Sequence, residues 1–85
     1  MPRALTIHHL FASPAERPAL AARLRARHAH FAALDVRYWV FEEAGRPGAF
    51  VEFTEARDAE ALAGAHAAAP GTAADPARLY TEVEL

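Results

Sequence analysis

Hydrophobic residues alternate with polar ones in four short stretches of the chain and recur at helical spacing in two longer ones. The alternating stretches predict β-strands over residues 5–11, 36–43, 49–55 and 79–85. The helical spacing predicts one helix from Pro14 to the residues before Asp35, and a second from Ala56 or Asp58 to Ala69. Residues 71–77, which follow Pro70, are predicted to form a loop. The predicted order of elements is therefore β-α-β-β-α-β.

The first helix has a clear start signal and an apolar stripe. Ser13 and Glu16 are spaced as in a capping box, with Pro14 at the first helical position. The apolar stripe consists of Leu20, Leu24, Phe31 and Leu34. The polar residues Arg23, Arg25, Arg27 and His30 are predicted to lie on the flanks or the solvent side of this helix.

A Gly/Pro turn at residues 45–48 predicts a hairpin between the second and third strands. With this turn, Phe41 pairs with Val51 and Trp39 pairs with Phe53. A ferredoxin-like α+β fold follows, with a four-stranded antiparallel sheet, two helices on one face, and one domain over residues 1–85. The face covered by the helices is predicted to carry Leu5, Ile7, His9, Phe11, Trp39, Phe41, Val51, Phe53, Leu79, Thr81, Val83 and Leu85. The uncovered face is predicted to carry Thr6, His8, Leu10, Tyr38, Val40, Glu42, Phe50, Glu52, Tyr80, Glu82 and Glu84.

Composition excludes several kinds of chemistry. The chain has no Cys, Lys, Asn or Gln, so cysteine nucleophiles, disulfides, Schiff-base lysines and P-loops are absent. A net charge of −2 gives no general attraction to nucleic acid or to anionic membranes. No apolar stretch is long enough to span a bilayer, and the first residues do not resemble a signal peptide. We expect a soluble cytoplasmic protein without a metal site, since no histidine pair has chelating spacing.

The uncovered face is expected to bind a partner, because its aromatic and aliphatic residues form a large apolar patch. Residues 46–53, RPGAFVEF, resemble the RNP1 strand of RNA-recognition-motif domains, which stack bases on this face. Of the stacking positions only Phe50 is aromatic, while Thr6 and Gly48 occupy the others. Glutamates on the same face would repel phosphates. A second copy of the chain is therefore the preferred partner, and nucleic acid is not expected.

Residues 50–66, FVEFTEARDAEALAGAH, resemble a segment of the dimeric α+β-barrel superfamily, in particular its antibiotic-biosynthesis-monooxygenase-like domains. The resemblance covers nearly the whole chain in element order. It implies a homodimer, called a dimeric α+β barrel, with a pocket for a small apolar or aromatic molecule between helices and sheet. Its monooxygenase-type members oxidise electron-rich aromatic substrates with molecular oxygen and no cofactor. Ala56 stands where many members have Trp, and His66 falls about one residue late.

The resemblance also implies roles for individual residues. His66, or else His9, would accept a phenolic proton, because an ordinary histidine titrates near neutral pH. The implied substrate-binding residues are Trp39, Phe41, Phe53, Phe31 and Leu62. The implied dimer-interface residues are Tyr38, Val40, Phe50, Tyr80, His8 and Leu10. Two purely structural alternatives stand beside these roles. His66 would be a hydrogen-bonded residue at the core boundary, and Trp39 would be a core residue.

Of the other functions considered, one remains open and two require a residue that the chain lacks. A non-catalytic homodimeric binding or structural role fits the same scaffold, because a fold hosts many functions. Haem degradation and acylphosphatase activity, both found on similar topologies, use an Asn that this chain lacks.

Overall fold

The computed structural model describes residues 2–70 and 78–85, and within them the chain forms the predicted β-α-β-β-α-β order. The elements are β1 (Ala4–Phe11), α1 (Arg17–Ala33), β2 (Arg37–Glu42), β3 (Ala49–Ala56), α2 (Ala59–Ala68) and β4 (Leu79–Thr81). The loop predicted at residues 71–77 lies outside the described residues.

The four strands form one antiparallel sheet in the order β2-β3-β1-β4. The hairpin has the predicted register, with Trp39 opposite Phe53 and Phe41 opposite Val51. Strand order and connectivity are those of a ferredoxin-like α+β fold, so the predicted fold class is confirmed. No helix among the described residues has the length and apolar character needed to cross a membrane.

The helix ends follow local side-chain chemistry. The Glu16 carboxylate accepts a hydrogen bond of 2.9 Å from the backbone N–H of Ser13, as the capping box predicts, although α1 begins three residues later than Pro14. Asp58 caps α2 by accepting a hydrogen bond of 2.7 Å from the N–H of Ala61. At the end of α1, Asp35 adopts a left-handed φ of 57°, and the N–H of Val36 bonds to the carbonyl of Phe31.

The fourth strand is shorter than its alternating sequence predicts. It ends at Thr81, and residues 82–85 are exposed and outside the sheet ladder, so the predicted strand over 79–85 is wrong in its second half. The N–H of Glu82 still donates a hydrogen bond to the carbonyl of Arg3, the residue before β1. Beyond β4, residues 7–11 of β1 therefore have no strand partner on that side among the described residues.

The predicted assignment of residues to the two sheet faces is wrong for β1, β2 and β3. Thr6 contacts His66 of α2, and Glu52 contacts Arg27 of α1, so these strand residues lie under the helices. Their neighbours on the covered face include His8, Leu10, Tyr38, Val40, Glu42 and Phe50. The uncovered face carries Leu5, Ile7, His9, Phe11, Trp39, Phe41, Val51 and Phe53. Tyr80 pairs with Leu5, which places it on the uncovered face as predicted.

The inversion has a physical cause in the inner surfaces of the helices. The core consists of small residues around Phe31 and Leu62, joined by Ala4, Val36, Ala56 and Ala65. Position 27 lies on the same helical stripe as Leu20 and Phe31, so Arg27 is buried and not, as predicted, on the flank or solvent side of α1. A polar strand face matches this partly polar helix surface, whereas large apolar side chains would leave Arg27 unpaired.

Candidate functional site

A buried carboxylate organises the space between α1 and the sheet. Glu52 lies in the middle of β3 and is 4% exposed. Its Oε1 accepts a hydrogen bond of 2.6 Å from the hydroxyl of Tyr38, and its Oε2 lies 3.1 Å from Nδ1 of His8. Three strands thus contribute to one polar cluster, formed by Glu52, Tyr38, His8 and, from α1, Arg27.

Arg27 supplies the positive charge of this cluster. Its Nε lies 3.3 Å from Oε1 of Glu52, and one of its terminal nitrogens donates a hydrogen bond of 2.9 Å to the carbonyl of Pro70. The guanidinium also lies over the rings of Phe31 and Tyr38, at 5.4 and 5.9 Å from their centroids. A buried carboxylate needs a partner of this kind, because an isolated buried charge is costly.

The same environment keeps Tyr38 protonated. Burial, the hydrogen bond to Glu52 and the charge of Glu52 raise the pKa of the Tyr38 hydroxyl well above its ordinary value, against a smaller opposing effect of Arg27. Tyr38 therefore acts as a hydrogen-bond donor that holds Glu52 in place.

Next to this cluster is a cavity of about 160 Å³ between α1 and the sheet. Its wall is formed by His8, Leu10, Phe11, Leu20, Arg23, Leu24, Arg27 and Glu52. Aliphatic and aromatic side chains make up one part of this wall, and the polar cluster makes up the other. Such a combination is typical of small-molecule sites.

His66 lies on α2, outside the residues that line this cavity. Its Nε2 shares a hydrogen bond of 2.7 Å with the Thr6 hydroxyl, and its ring meets Phe31 edge-on at 5.4 Å. Nδ1 is buried and has no hydrogen-bond partner among the described residues. Burial, followed by the charge of Arg27, lowers the pKa of His66. These contacts match the alternative of a histidine held at the core boundary, although its partner is a hydroxyl and not a carbonyl.

The other residues implied by the resemblance are spread over both faces. His9, Trp39, Phe41 and Phe53 lie on the uncovered face, so the sheet separates them from His66 and from the cavity. Phe31 and Leu62 lie on the helix side but are fully buried in the core. Of the residues expected at a dimer interface, only Tyr80 lies on the uncovered face, whereas Tyr38, Val40, Phe50, His8 and Leu10 face the helices.

A second, wider cavity of about 500 Å³ lies at the end of the sheet nearest the hairpin turn. His9, Phe11, Phe41, Glu43 and Arg46 contribute to its wall. The rings of Phe11 and Phe41 are 64% and 55% exposed, so this space is an open surface depression. Its wall also includes Leu10 and Phe50 of the covered face, and it shares Leu10 and Phe11 with the cavity next to Glu52.

No set of three or more potential metal-ligating side chains comes together in the part of the chain that the structure describes. Comparisons with protein-family models, with curated proteins and with solved structures found no match to this chain.

Sequence reasoning missed the cluster around Glu52, although a signal for it exists. An acidic residue stands in the centre of an apolar strand, in FVEF, and an arginine stands on an apolar helical stripe. Each of these residues alone suggests a solvent-exposed position. Together they are the two halves of a buried ion pair, and pairing them would have identified the covered face.

Proposed function

We propose that this chain is a homodimeric, monooxygenase-like protein that binds a small hydroxylated aromatic molecule in the cavity between α1 and the sheet. The observation that carries the proposal is an apolar cavity whose wall includes the buried ion pair of Glu52 and Arg27 together with His8. Apolar walls favour a ring, and the polar side chains favour a hydroxyl on that ring.

The cavity volume fits a ligand of one ring. A cavity of about 150 Å³ is large enough for a benzene molecule, and this cavity measures about 160 Å³. Leu10, Leu20 and Leu24 would contact the ring. The guanidinium of Arg27 would stabilise negative charge on the ligand oxygen, because the charge is only weakly screened at this depth.

The reaction class follows from the resemblance of residues 50–66 to cofactor-independent monooxygenases. For a phenol and one molecule of oxygen, the balanced products are a para-quinone and one molecule of water. One oxygen atom enters the ring, the other leaves as water, and the substrate supplies all the electrons. The contribution of the protein would be to orient the ring and to favour its deprotonated form.

A second copy of the chain is the proposed occupant of the uncovered face. Trp39 is 39% exposed there, beside the more exposed Phe11 and Phe41, which is a large apolar surface for a chain of this size. Arg37 of β2 and Glu55 of β3 are opposite each other in the strand register on the same face, so this face carries both positive and negative charge. In a two-fold dimer the basic residue of one copy can meet the acidic residue of the other. A phosphate backbone would instead be repelled by the acidic residues.

The RNA-binding alternative has less support. Phe50, the one aromatic residue at an RNP1-like stacking position, lies on the helix side, where the Arg17 guanidinium covers it at 5.2 Å from the ring centroid. A base could not stack on this ring without displacing Arg17.

A non-catalytic homodimer is the main alternative. It differs from the proposal in whether the bound ligand is converted to a product.

Binding is tested by titrating the isotope-labelled protein with phenol and following amide shifts by NMR. Saturable shifts in β1, β3 and α1 are expected in the native protein. Leu24→Trp fills the cavity and should abolish them, whereas Ala22→Trp adds the same ring on the exposed side of α1 and should not. Oxygen consumption with a quinone product then distinguishes an enzyme from a binding protein. Absence of saturable phenol binding to the native protein would overturn the proposal.

A further inference from the structure

The geometry points to His8 as the catalytic base of the cavity and to Glu52 as the residue that positions it. This inference rests on the proposed function, because it assigns the proton acceptor for a ligand bound in the same cavity. It departs from the roles that the resemblance implies, since neither His66 nor His9 lines the cavity.

The first step is the choice of tautomer at His8, which Glu52 determines. Oε2 of Glu52 lies 3.1 Å from Nδ1, and a carboxylate only accepts hydrogen bonds. Nδ1 must therefore carry a hydrogen, and in the neutral ring Nε2 is left with a free lone pair. Glu52 is in turn fixed by Tyr38 and Arg27, so the orientation of the imidazole is set by a buried and fully anchored carboxylate.

The second step concerns access. The side chain of His8 is 27% exposed, and it forms part of the cavity wall together with Arg27. A ligand hydroxyl in the cavity can therefore approach the imidazole, whereas His66 does not line the cavity and is hydrogen-bonded to Thr6.

The third step is the proton transfer itself. The O–H bond of the ligand breaks, its proton forms a bond to Nε2, and the electron pair stays on the ligand oxygen. The resulting imidazolium remains hydrogen-bonded to Glu52, and the phenolate lies in the field of Arg27 and Arg23, which both line the cavity. His66 on α2 also interacts electrostatically with His8, and His9 and Arg78 line a further surface depression together with His8. No oxidant takes part in this step.

The test uses para-nitrophenol as the probe, because its ionised form absorbs at a longer wavelength than its neutral form. Binding is measured by calorimetry, and ionisation is measured by the visible spectrum at a pH below the pKa of the free nitrophenol. The native protein is expected to bind the probe and to show the phenolate band. His8→Asn keeps a hydrogen-bond donor toward Glu52 but cannot take the proton, so it should bind the probe and lose the band.

A second variant and a control separate chemistry from folding. Glu52→Gln removes the charge that stabilises the imidazolium and should weaken the band. Because it also removes the anion opposite the buried Arg27, the folded fraction of this variant is first measured by far-ultraviolet circular dichroism, and the band is compared per folded protein. His28→Asn, the same substitution at an exposed position on α1, should leave both binding and band as in the native protein. Bound but neutral nitrophenol in the native protein, or a full phenolate band in His8→Asn, would overturn the role of His8. Absence of binding in the native protein would instead overturn the proposed function.

Discussion

The Nε atom of Arg27 on α1 lies 3.3 Å from Oε1 of Glu52 on β3, and the two side chains are only 4% and 5% exposed. This ion pair joins the longest helix to the centre of the sheet across a core that is otherwise made largely of alanine. Glu52 also holds Tyr38 and His8, so the pair supports both the fold and the candidate site.

Replacing one member of this pair should be strongly destabilising. Arg27→Met leaves the Glu52 carboxylate buried without its cation, and we expect the free energy of unfolding to fall by about 3–5 kcal/mol. The double variant Arg27→Met, Glu52→Gln should recover part of this loss, because the amide is neutral and still accepts from Tyr38. Urea unfolding at a fixed protein concentration measures both effects.

An exposed ion pair provides the comparison. Arg17 forms a bidentate contact with Glu42, at 2.7 and 2.9 Å, and both side chains are solvent-accessible. Arg17→Met should therefore change stability little. A loss in Arg17→Met as large as that in Arg27→Met would contradict the importance of burial.

Gly48 should tolerate no side chain, in contrast to Gly45 in the same turn. Its φ is +90°, and a Cβ atom there would lie 2.5 Å from the carbonyl oxygen of Ala12, which is a backbone atom and not the end of a flexible side chain. Gly48→Ala should lower the free energy of unfolding by more than about 1–2 kcal/mol, the cost of a left-handed conformation alone. Gly45→Ala meets nothing within 4 Å and should be neutral or nearly so. Equal melting temperatures for the two variants would contradict this account of the turn.

Element order, hairpin register and fold class could be predicted from the sequence, because alternation and turn residues are local signals. Trp39 and Phe53 were paired correctly for this reason. Alternation shows which residues share a face but not which face the helices cover. Which face the helices cover depends on the ion pair between Arg27 and Glu52. These two residues are 25 positions apart, so no local pattern predicts that they pair.

The candidate site was missed for the same reason. His8 was expected on the uncovered face, together with Tyr38, and the inversion of the sheet moved both under α1. His66 was identified correctly as a residue on the helix side, but its distance from the cavity depends on the packing of Phe31. Side-chain packing of this kind is a tertiary property that a single sequence does not display.

The uncovered face should hold two copies of the chain together. The double variant Trp39→Glu, Phe53→Glu places two charges at the centre of its apolar surface and should give a monomer. Leu34→Glu changes an exposed apolar residue at the end of α1, away from this face, and should leave the mass unchanged. Light scattering coupled to size exclusion gives the masses. A native protein with the mass of one chain at micromolar concentration would rule out the dimer.

His66 should make the folded protein sensitive to mild acid. Its pKa is lowered from 6.5 by burial and by Arg27, with smaller contributions of the same sign from His30 and His8 and an opposing one from Glu52. The unfolded chain therefore binds a proton at a higher pH than the folded chain does. Stability is complete above the unfolded pKa and falls as the pH drops from about 6.5 toward the lower folded pKa.

A variant that cannot be protonated isolates this effect. His66→Gln can keep a hydrogen bond to Thr6 and carries no titratable group, so its free energy of unfolding should vary less between pH 7 and pH 5 than that of the native protein. His28→Gln, at an exposed position on the same side of the sheet, should retain the native slope. Denaturant unfolding at several pH values measures the slopes. A partly buried neutral histidine weakens the fold as the unfolded chain becomes protonated, so removing it should remove that part of the slope. An unchanged slope in His66→Gln would mean that the acid sensitivity arises from other groups.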